Sequence, residues 1–355
     1  MSLARAGRLE EALGGAGVEA LVVTDLLNVR YLTGFTGTNA LCVVGPGLRL
    51  FVTDFRYLEQ AAEQVDAGWE RLQGRQELLE AVRDRLPARL GFEDGHVTVR
   101  RHGKLRELLG EGVELVPGGP LVEGLRAVKE PEELDRIRAA AALADAMYEH
   151  LCAIGLVGRT EREVVLDLEA EMRRRGAEPS FPTIVASGPH GALPHASPRD
   201  ERIEAGTLVV VDLGCLLDGY CSDCTRTFAT GRLSGEARAV YDLVLDAQER
   251  SLAAVRAGAE EREVDAVARG AIEEGGHGER FGHGLGHGVG LEIHEAPRLS
   301  PTADGRLEAG NVVTVEPGVY VPGSFGVRIE DLVVVRDDEP EVLSAFPKGL
   351  ITLGT

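Results

Sequence analysis

Four acidic residues stand in two pairs at spacings that can bring their carboxylates together. Asp212 and Asp223 flank Leu217-Asp218-Gly219, a turn-forming step between two apolar runs. A two-residue turn at Leu217-Asp218 pairs Asp212 directly with Asp223. A turn at Asp218-Gly219 pairs Asp212 with Thr225 and leaves Asp223 two residues along. Both registers put the acids on one face of a hairpin, because residues two apart share a side. Glu316 and Glu330 repeat the arrangement: one ends Val312-Val313-Thr314-Val315-Glu316, the other Val327-Arg328-Ile329-Glu330, and Pro322-Gly323 offers the turn between. Arg328 shares parity with Glu330 and so shares its face. Facing carboxylates repel unless a cation or proton lies between them. Solvated acids on an exposed sheet are the plain alternative for the first pair, and a buried Glu–Arg ion pair for the second.

Histidines supply a third element. Six of the nine fall between positions 190 and 294, as His190, His195, His277, His283, His287 and His294. Glycine occupies every even position from Gly282 to Gly290, which disfavours a helix there. An extended backbone places His283 and His287 on one face and leaves room for close approach on the other. The segment lacks GxGxxG spacing and a following Lys-Ser/Thr, so it is a poor phosphate loop, and the chain holds neither HExxH nor GxSxG. Carboxylates with imidazole suit a divalent metal such as Mn²⁺, Co²⁺ or Zn²⁺. Acids facing in pairs suit two ions ~3.5–4 Å apart. Cys221-Ser222-Asp223-Cys224 is a CxxC, but no second one exists and Asp223 lies inside it, which speaks against a thiolate site.

The elements that must position these groups fall into two parts. Ala4 to Leu13 has helical periodicity, Ala20 to Thr24, Leu41 to Val44 and Leu48 to Thr53 read as strands, and Arg56 to Val65 and Glu77 to Leu86 read as helices. This α/β pattern ends near Leu121. Glu130-Pro131-Glu132-Glu133 then opens a long Ala-rich helix reaching roughly Leu151, and a second helix spans Glu161 to about Arg175. Beyond it, Leu208 to Leu213, Tyr220 to Phe228, Val312 to Val321 and Gly326 to Val335 read as strands, with helices at Gly235 to Arg256 and Glu261 to Glu274 between the pairs. Hairpins separated by helices indicate an α+β domain. The break falls within residues 122–131, giving domains 1–124 and 125–355.

A chain of 355 residues suits two such domains. Its formal charge of −20 repels phosphate backbones and argues against nucleic-acid partners. No apolar run approaches the ~18–20 residues of a membrane span, and Ala20 to Val23 is too short for a signal-peptide core. Five cysteines, an odd and sparse set, suit a reducing cytoplasm. A cytoplasmic protein with no membrane partner is expected.

Taken together, the motifs resemble the metallopeptidases of the pita-bread fold, in their proline-selective branch of Xaa-Pro dipeptidases (prolidases) and Xaa-Pro aminopeptidases. The resemblance runs through Leu193-Pro194-His195-Ala196, Val211-Asp212-Leu213-Gly214, Ser222-Asp223-Cys224-Thr225-Arg226-Thr227, Gly282 to Glu295, Thr314-Val315-Glu316-Pro317-Gly318 and Gly326-Val327-Arg328-Ile329-Glu330-Asp331. The family's ordered ligand set Asp, Asp, His, Glu, Glu is matched by Asp212, Asp223, His287, Glu316 and Glu330. His195 and His294 match its substrate-side histidines, His283 the histidine four before the metal ligand, and Arg328 the arginine two before the last ligand. The amino-terminal third resembles the creatinase/prolidase accessory domain, through Asn28 to Phe35 and Thr53 to Tyr57. Creatine hydrolase shares the fold without the metals, and the five matched ligands speak against that activity.

The resemblance implies a peptidase with two divalent ions, Mn²⁺ foremost, whose charge makes a water nucleophilic at neutral pH. Glu316 would shuttle the proton to the leaving nitrogen, while His294 and His195 polarise the carbonyl or steady the oxyanion. An Xaa-Pro dipeptidase must hold a free carboxylate beyond proline, which Arg328 or His283 could do. An aminopeptidase acting on longer peptides must leave that end open. The dipeptidase is the preferred reading, the aminopeptidase its alternative, and a non-catalytic binding protein on the same fold a more distant one. A homodimer is the assembly the resemblance suggests.

Overall fold

The computed structural model describes residues 2–354. The chain divides into two compact units, Met1–Arg126 and Ala127–Thr355.

The first unit is built on six strands: β1 (Ala20–Val23), β2 (Ala40–Gly45), β3 (Leu48–Thr53), β4 (Glu70–Gln73), β5 (Arg89–Phe92) and β6 (Glu114–Pro117), in the order β4-β3-β2-β1-β5-β6. Strand parity sorts its side chains. Ala20, Val22, Leu41, Val43, Leu50 and Val52 face one way and pack with Leu79, Val82, Leu105 and Leu109. The helices are α1 (Ser2–Leu13), α2 (Leu26–Thr33), α3 (Leu58–Gln64), α4 (Val99–Leu109) and α5 (Leu121–Ala127). Asp25 and Thr98 cap α2 and α4 through their side chains. The helix expected over Glu77 to Leu86 is instead two 3₁₀ turns, Leu78–Ala81 and Arg83–Arg85. Ten residues ending at Leu86-Pro87 are marginal for helix propagation, and separate turns still bury Leu78, Leu79 and Val82.

The second unit contains two helix pairs, each laid on sheet. The helices are α6 (Pro131–Ile154), α7 (Glu161–Arg174), α8 (Gly235–Ala254) and α9 (Glu261–Glu274). The strands are β7 (Glu178–Pro179), β8 (Ile184–Ser187), β9 (Leu208–Leu213), β10 (Cys215–Leu217), β11 (Tyr220–Cys221), β12 (Cys224–Ala229), β13 (Gly286–Gly288), β14 (Glu295–Leu299), β15 (Val312–Val315), β16 (Gly318–Val321), β17 (Phe325–Arg328), β18 (Asp331–Val334) and β19 (Glu341–Val342). Val209, Val211 and Leu213 of β9 pack with Met147, Tyr148, Val164 and Leu168 of α6 and α7. Val313, Val315 and Val333 of β15 and β18 pack with Val240, Val244, Val264 and Ala268 of α8 and α9. Odd positions of these strands therefore face helices. Alternation sends Asp212 and Thr314 to the opposite face.

The first hairpin takes the second of its two registers. Leu217 pairs with Tyr220 and Asp212 with Thr225, so Asp218-Gly219 forms the turn, with φ of 48° and 81°. Positive φ at both central residues matches the strand twist and explains the Asp-Gly step. Each expected long strand other than Leu208–Leu213 is broken next to an acid. Tyr220 to Phe228 breaks at Ser222-Asp223, Val312 to Val321 at Glu316-Pro317, and Gly326 to Val335 at Ile329-Glu330. A break releases a side chain from strict alternation and re-aims it.

Candidate metal centre and its cavity

Asp212, Asp223 and Glu330 each present a carboxylate oxygen, and these atoms lie within 4.8 Å of one another. All three residues are buried. His287 enters from β13, its Nε2 3.6 Å from Asp223 Oδ2 and 3.3 Å from Glu316 Oε1. Its Nδ1 lies 3.1 Å from Gly288 O and donates there, which turns Nε2 toward the acids. Thr314 Oγ1 accepts from His287 N at 3.1 Å and donates to Glu316 Oε1 at 3.1 Å, tying both residues to β15. The alternating glycines let the backbones close in. A Cβ at Gly286 would sit 2.0 Å from Thr314 O, and one at Gly288 2.1 Å from Ala296 O.

Two oxygens in the cluster, Asp212 Oδ1 and Glu330 Oε1, are buried and accept no hydrogen bond among the described residues. Orphaned carboxylate oxygens are costly unless a cation fills the gap. Burial, then the charges of neighbouring acids, push the carboxyls of Asp223 and Glu330 well above the usual range. Burial raises Asp212 as well, against the pull of Arg328. Glu316 departs from the others. Burial opposes its ionisation, but the hydrogen bond and charge of His287 outweigh that and hold it at about 2. Oxygen-rich donors with one imidazole are a set that divalent ions such as Mn²⁺ accept.

Beside the cluster lies a cavity of about 730 Å³, lined by Phe181, Ile184, His195, Asp212, Asp223, His283, His287, Ile293, His294, Arg298, Glu316, Arg328 and Glu330. All nine residues singled out by the sequence thus border one space. They differ in how free they are. His195 and His294 are exposed, and the His294 ring sits 4.3 Å from that of His287. His283 is engaged at both nitrogens, donating from Nδ1 to Gly284 O at 2.8 Å and accepting at Nε2 from the Tyr320 hydroxyl at 2.9 Å. Burial lowers its pKa and favours this neutral form.

Arg328 is more deeply committed. Only 4% exposed, it donates from Nη2 to Asp212 Oδ2 at 2.7 Å, from Nη1 to Tyr320 Oη at 2.8 Å and to Pro194 O at 3.3 Å, and from Nε to Thr225 Oγ1 at 3.1 Å. Four of its five N–H groups are therefore used inside the protein. Thr225 Oγ1 passes its own proton to Glu330 Oε2 at 2.7 Å. Arg298, to which the sequence lent no role, lines the same cavity exposed and with no acid paired to it among the described residues. Its only sequence signal is its position four residues beyond His294. Cys221 and Cys224 are buried and lie outside the cluster.

Residues 135–337 match the model of Metallopeptidase family M24, and residues 5–128 match the Creatinase/Prolidase N-terminal domain. An Xaa-Pro dipeptidase from Pyrococcus furiosus is 35% identical over 350 residues, 98% of this chain and 99% of that protein. Among solved structures, an Xaa-Pro dipeptidase from Bacillus anthracis aligns with a TM-score of 0.96 at 41% identity, covering 99% of this chain and all of that one. An X-Pro aminopeptidase from Thermotoga maritima aligns at 0.88 with 33% identity, covering 97% and 100%. The acid-and-imidazole cluster, carried on helix-backed hairpins, is thus found in a chain that belongs to metallopeptidase family M24 and bears that family's creatinase/prolidase N-terminal domain.

Proposed function

We propose that this metallopeptidase hydrolyses the peptide bond before proline in Xaa-Pro dipeptides with two divalent ions, Mn²⁺ foremost. The observation that carries the reading is the pair of buried oxygens on Asp212 and Glu330, unpartnered among the described residues, inside a five-residue donor set that opens on a cavity. Asp212, Asp223, His287, Glu316 and Glu330 would hold the ions. When bound, they supply Lewis acidity and lower the pKa of water toward neutrality.

The chain's own groups do the rest. Glu316, steadied by Thr314, is placed to take a proton and pass it to the proline nitrogen, a tertiary amide that leaves poorly without one. His294 and His195, exposed beside the cluster, polarise the carbonyl and stabilise the developing oxyanion. Arg328 is saturated by Asp212, Tyr320, Thr225 and Pro194, so its role in this reading is to hold Asp212. The task of meeting a free substrate carboxylate passes to Arg298, which lines the cavity exposed and with no acid paired to it among the described residues. His283, locked to Tyr320, lends that wall its shape.

Domains 1–124 and 125–355, a homodimeric assembly and a cytoplasmic location complete the proposal. No helix among the described residues is long and apolar enough to cross a membrane. The alternative, an aminopeptidase on longer Xaa-Pro peptides, is favoured by the likeness to the Thermotoga maritima protein. Turnover of Ala-Pro against Ala-Pro-Ala with added Mn²⁺ separates them. Preference for Ala-Pro supports the dipeptidase, and preference for Ala-Pro-Ala makes the chain an aminopeptidase.

A further inference from the structure

His190 and the acid it binds lie outside the cluster. Yet they belong to a network with one evident target. Glu161, the first residue of α7, is fully buried. Its Oε1 accepts from Ser187 N at 2.8 Å and Ser187 Oγ at 2.9 Å, and its Oε2 from His190 Nδ1 at 2.8 Å and Arg199 N at 3.0 Å. One carboxylate thus gathers both ends and an inner residue of segment 187–199, which carries Pro194 and His195. Within the segment, order comes from the 3₁₀ turn Gly188–Ala192 and short backbone bonds such as Ala196 N to Leu193 O at 3.2 Å. The His195 imidazole has no hydrogen-bond partner among the described residues and is exposed, so its place is set by its backbone.

We propose that Glu161 is a positioning residue that acts through this segment to place His195 over the cavity. The proposal rests on the reading of His195 as a substrate-side group in Xaa-Pro hydrolysis. A buried charge is expensive, and apolar side chains would fill the space at least as cheaply. Four donors drawn from one segment, at a helix N-terminus that favours negative charge, are what precise placement of a loop requires. The opposite side of the segment is fixed as well. Pro194 O accepts from Arg328, and Gly191 lies so close to Gly326 of β17 that a Cβ on Gly326 would sit 1.8 Å from Gly191 O. His195 is therefore carried on a strip clamped from two directions.

The test combines kinetics with amide hydrogen exchange on Mn²⁺-loaded full-length protein. In Glu161→Gln the amide must turn its NH₂ toward one donor pair, so either the Ser187 arm or the His190–Arg199 arm is lost. Misplacement by about 1 Å costs about 10²-fold in rate, so kcat on Ala-Pro should fall by about that factor, with KM and metal content little changed. Exchange at amides 187–199 should rise. Combined with His195→Ala, Glu161→Gln should add less than about twofold, since groups acting through one another are not additive. His190→Leu should lower kcat in the same direction, and His190→Asn, which keeps a donor near the Nδ1 position, should restore most of it; this pair decides the matter if Glu161→Gln does not fold. Multiplicative losses in the double variant, unchanged exchange, or an unchanged kcat in Glu161→Gln while the wild type cleaves Ala-Pro would each overturn the positioning role alone. A wild type inert toward Ala-Pro would instead overturn the substrate reading beneath it.

Discussion

Replacing Arg328 with methionine separates a residue that holds the metal ligands from one that binds substrate. The side chain is 4% exposed and its guanidinium donates to Asp212, Tyr320, Thr225 and Pro194. Methionine fills similar volume but leaves Asp212 Oδ2 without its charged donor, beside an Oδ1 that already has none among the described residues. Breaking one side of a buried pair costs on the order of 3–5 kcal/mol. For a unit of this size that is a fall in melting temperature of about 6–20 °C. Added Mn²⁺ should recover part of the loss, because a cation also neutralises Asp212. On activity, kcat/KM for Ala-Pro and for Ala-Pro-Ala should drop by the same factor, since the defect lies in the ligand set. Calorimetry with and without Mn²⁺, and parallel kinetics on the two peptides, measure all of this. A loss ten times greater for Ala-Pro than for Ala-Pro-Ala would refute the reasoning and make Arg328 the carboxylate anchor. Arg298→Met is the companion: it should penalise Ala-Pro selectively and leave the melting temperature within about 1 °C, as an exposed cation should.

Three further outcomes are expected. Asp223→Asn removes a ligand from the centre of the cluster, so bound metal measured by plasma emission and activity should fall together, activity by more than about 100-fold. His294→Ala should reduce kcat by about 10²–10³ with metal content unchanged, the loss of one oxyanion donor; metal lost in proportion to rate would make it a ligand. Gly286→Ala drives a Cβ to 2.0 Å from Thr314 O, so it should part β13 from β15, lower metal affinity and reduce thermal stability, measured by metal titration and melting.

The acid pairing and the alternating glycines were legible because both follow from strand parity, which is local. Asp212 and Asp223 share a face in either hairpin register, and the Asp218-Gly219 step supports the one observed. The strand breaks at Asp223 and Glu330 were not legible. Only Pro317 marks such a break in sequence, while the others arise where two sheets separate. Glu161 shows the limit of local reading most clearly. Within Thr160-Glu161-Arg162-Glu163 it looks like a surface acid in a capping box, which Thr160 and Glu163 do form. Its partners lie 26 to 38 residues away. Arg328 was placed correctly beside Glu330, but its commitment to Asp212 spans 116 residues and is invisible to spacing. Arg298 gained its position from the path of β14, for which no periodicity was evident.

The central claim is that the cluster of Asp212, Asp223, His287, Glu316 and Glu330 binds two divalent ions that Xaa-Pro hydrolysis requires. The direct measurement is a Mn²⁺ titration of chelator-stripped protein, following bound metal and Ala-Pro cleavage in the same samples. The account predicts no cleavage without metal and full activity at two ions per chain. Cleavage that survives stripping, or a fully loaded protein that leaves Ala-Pro intact, would contradict it.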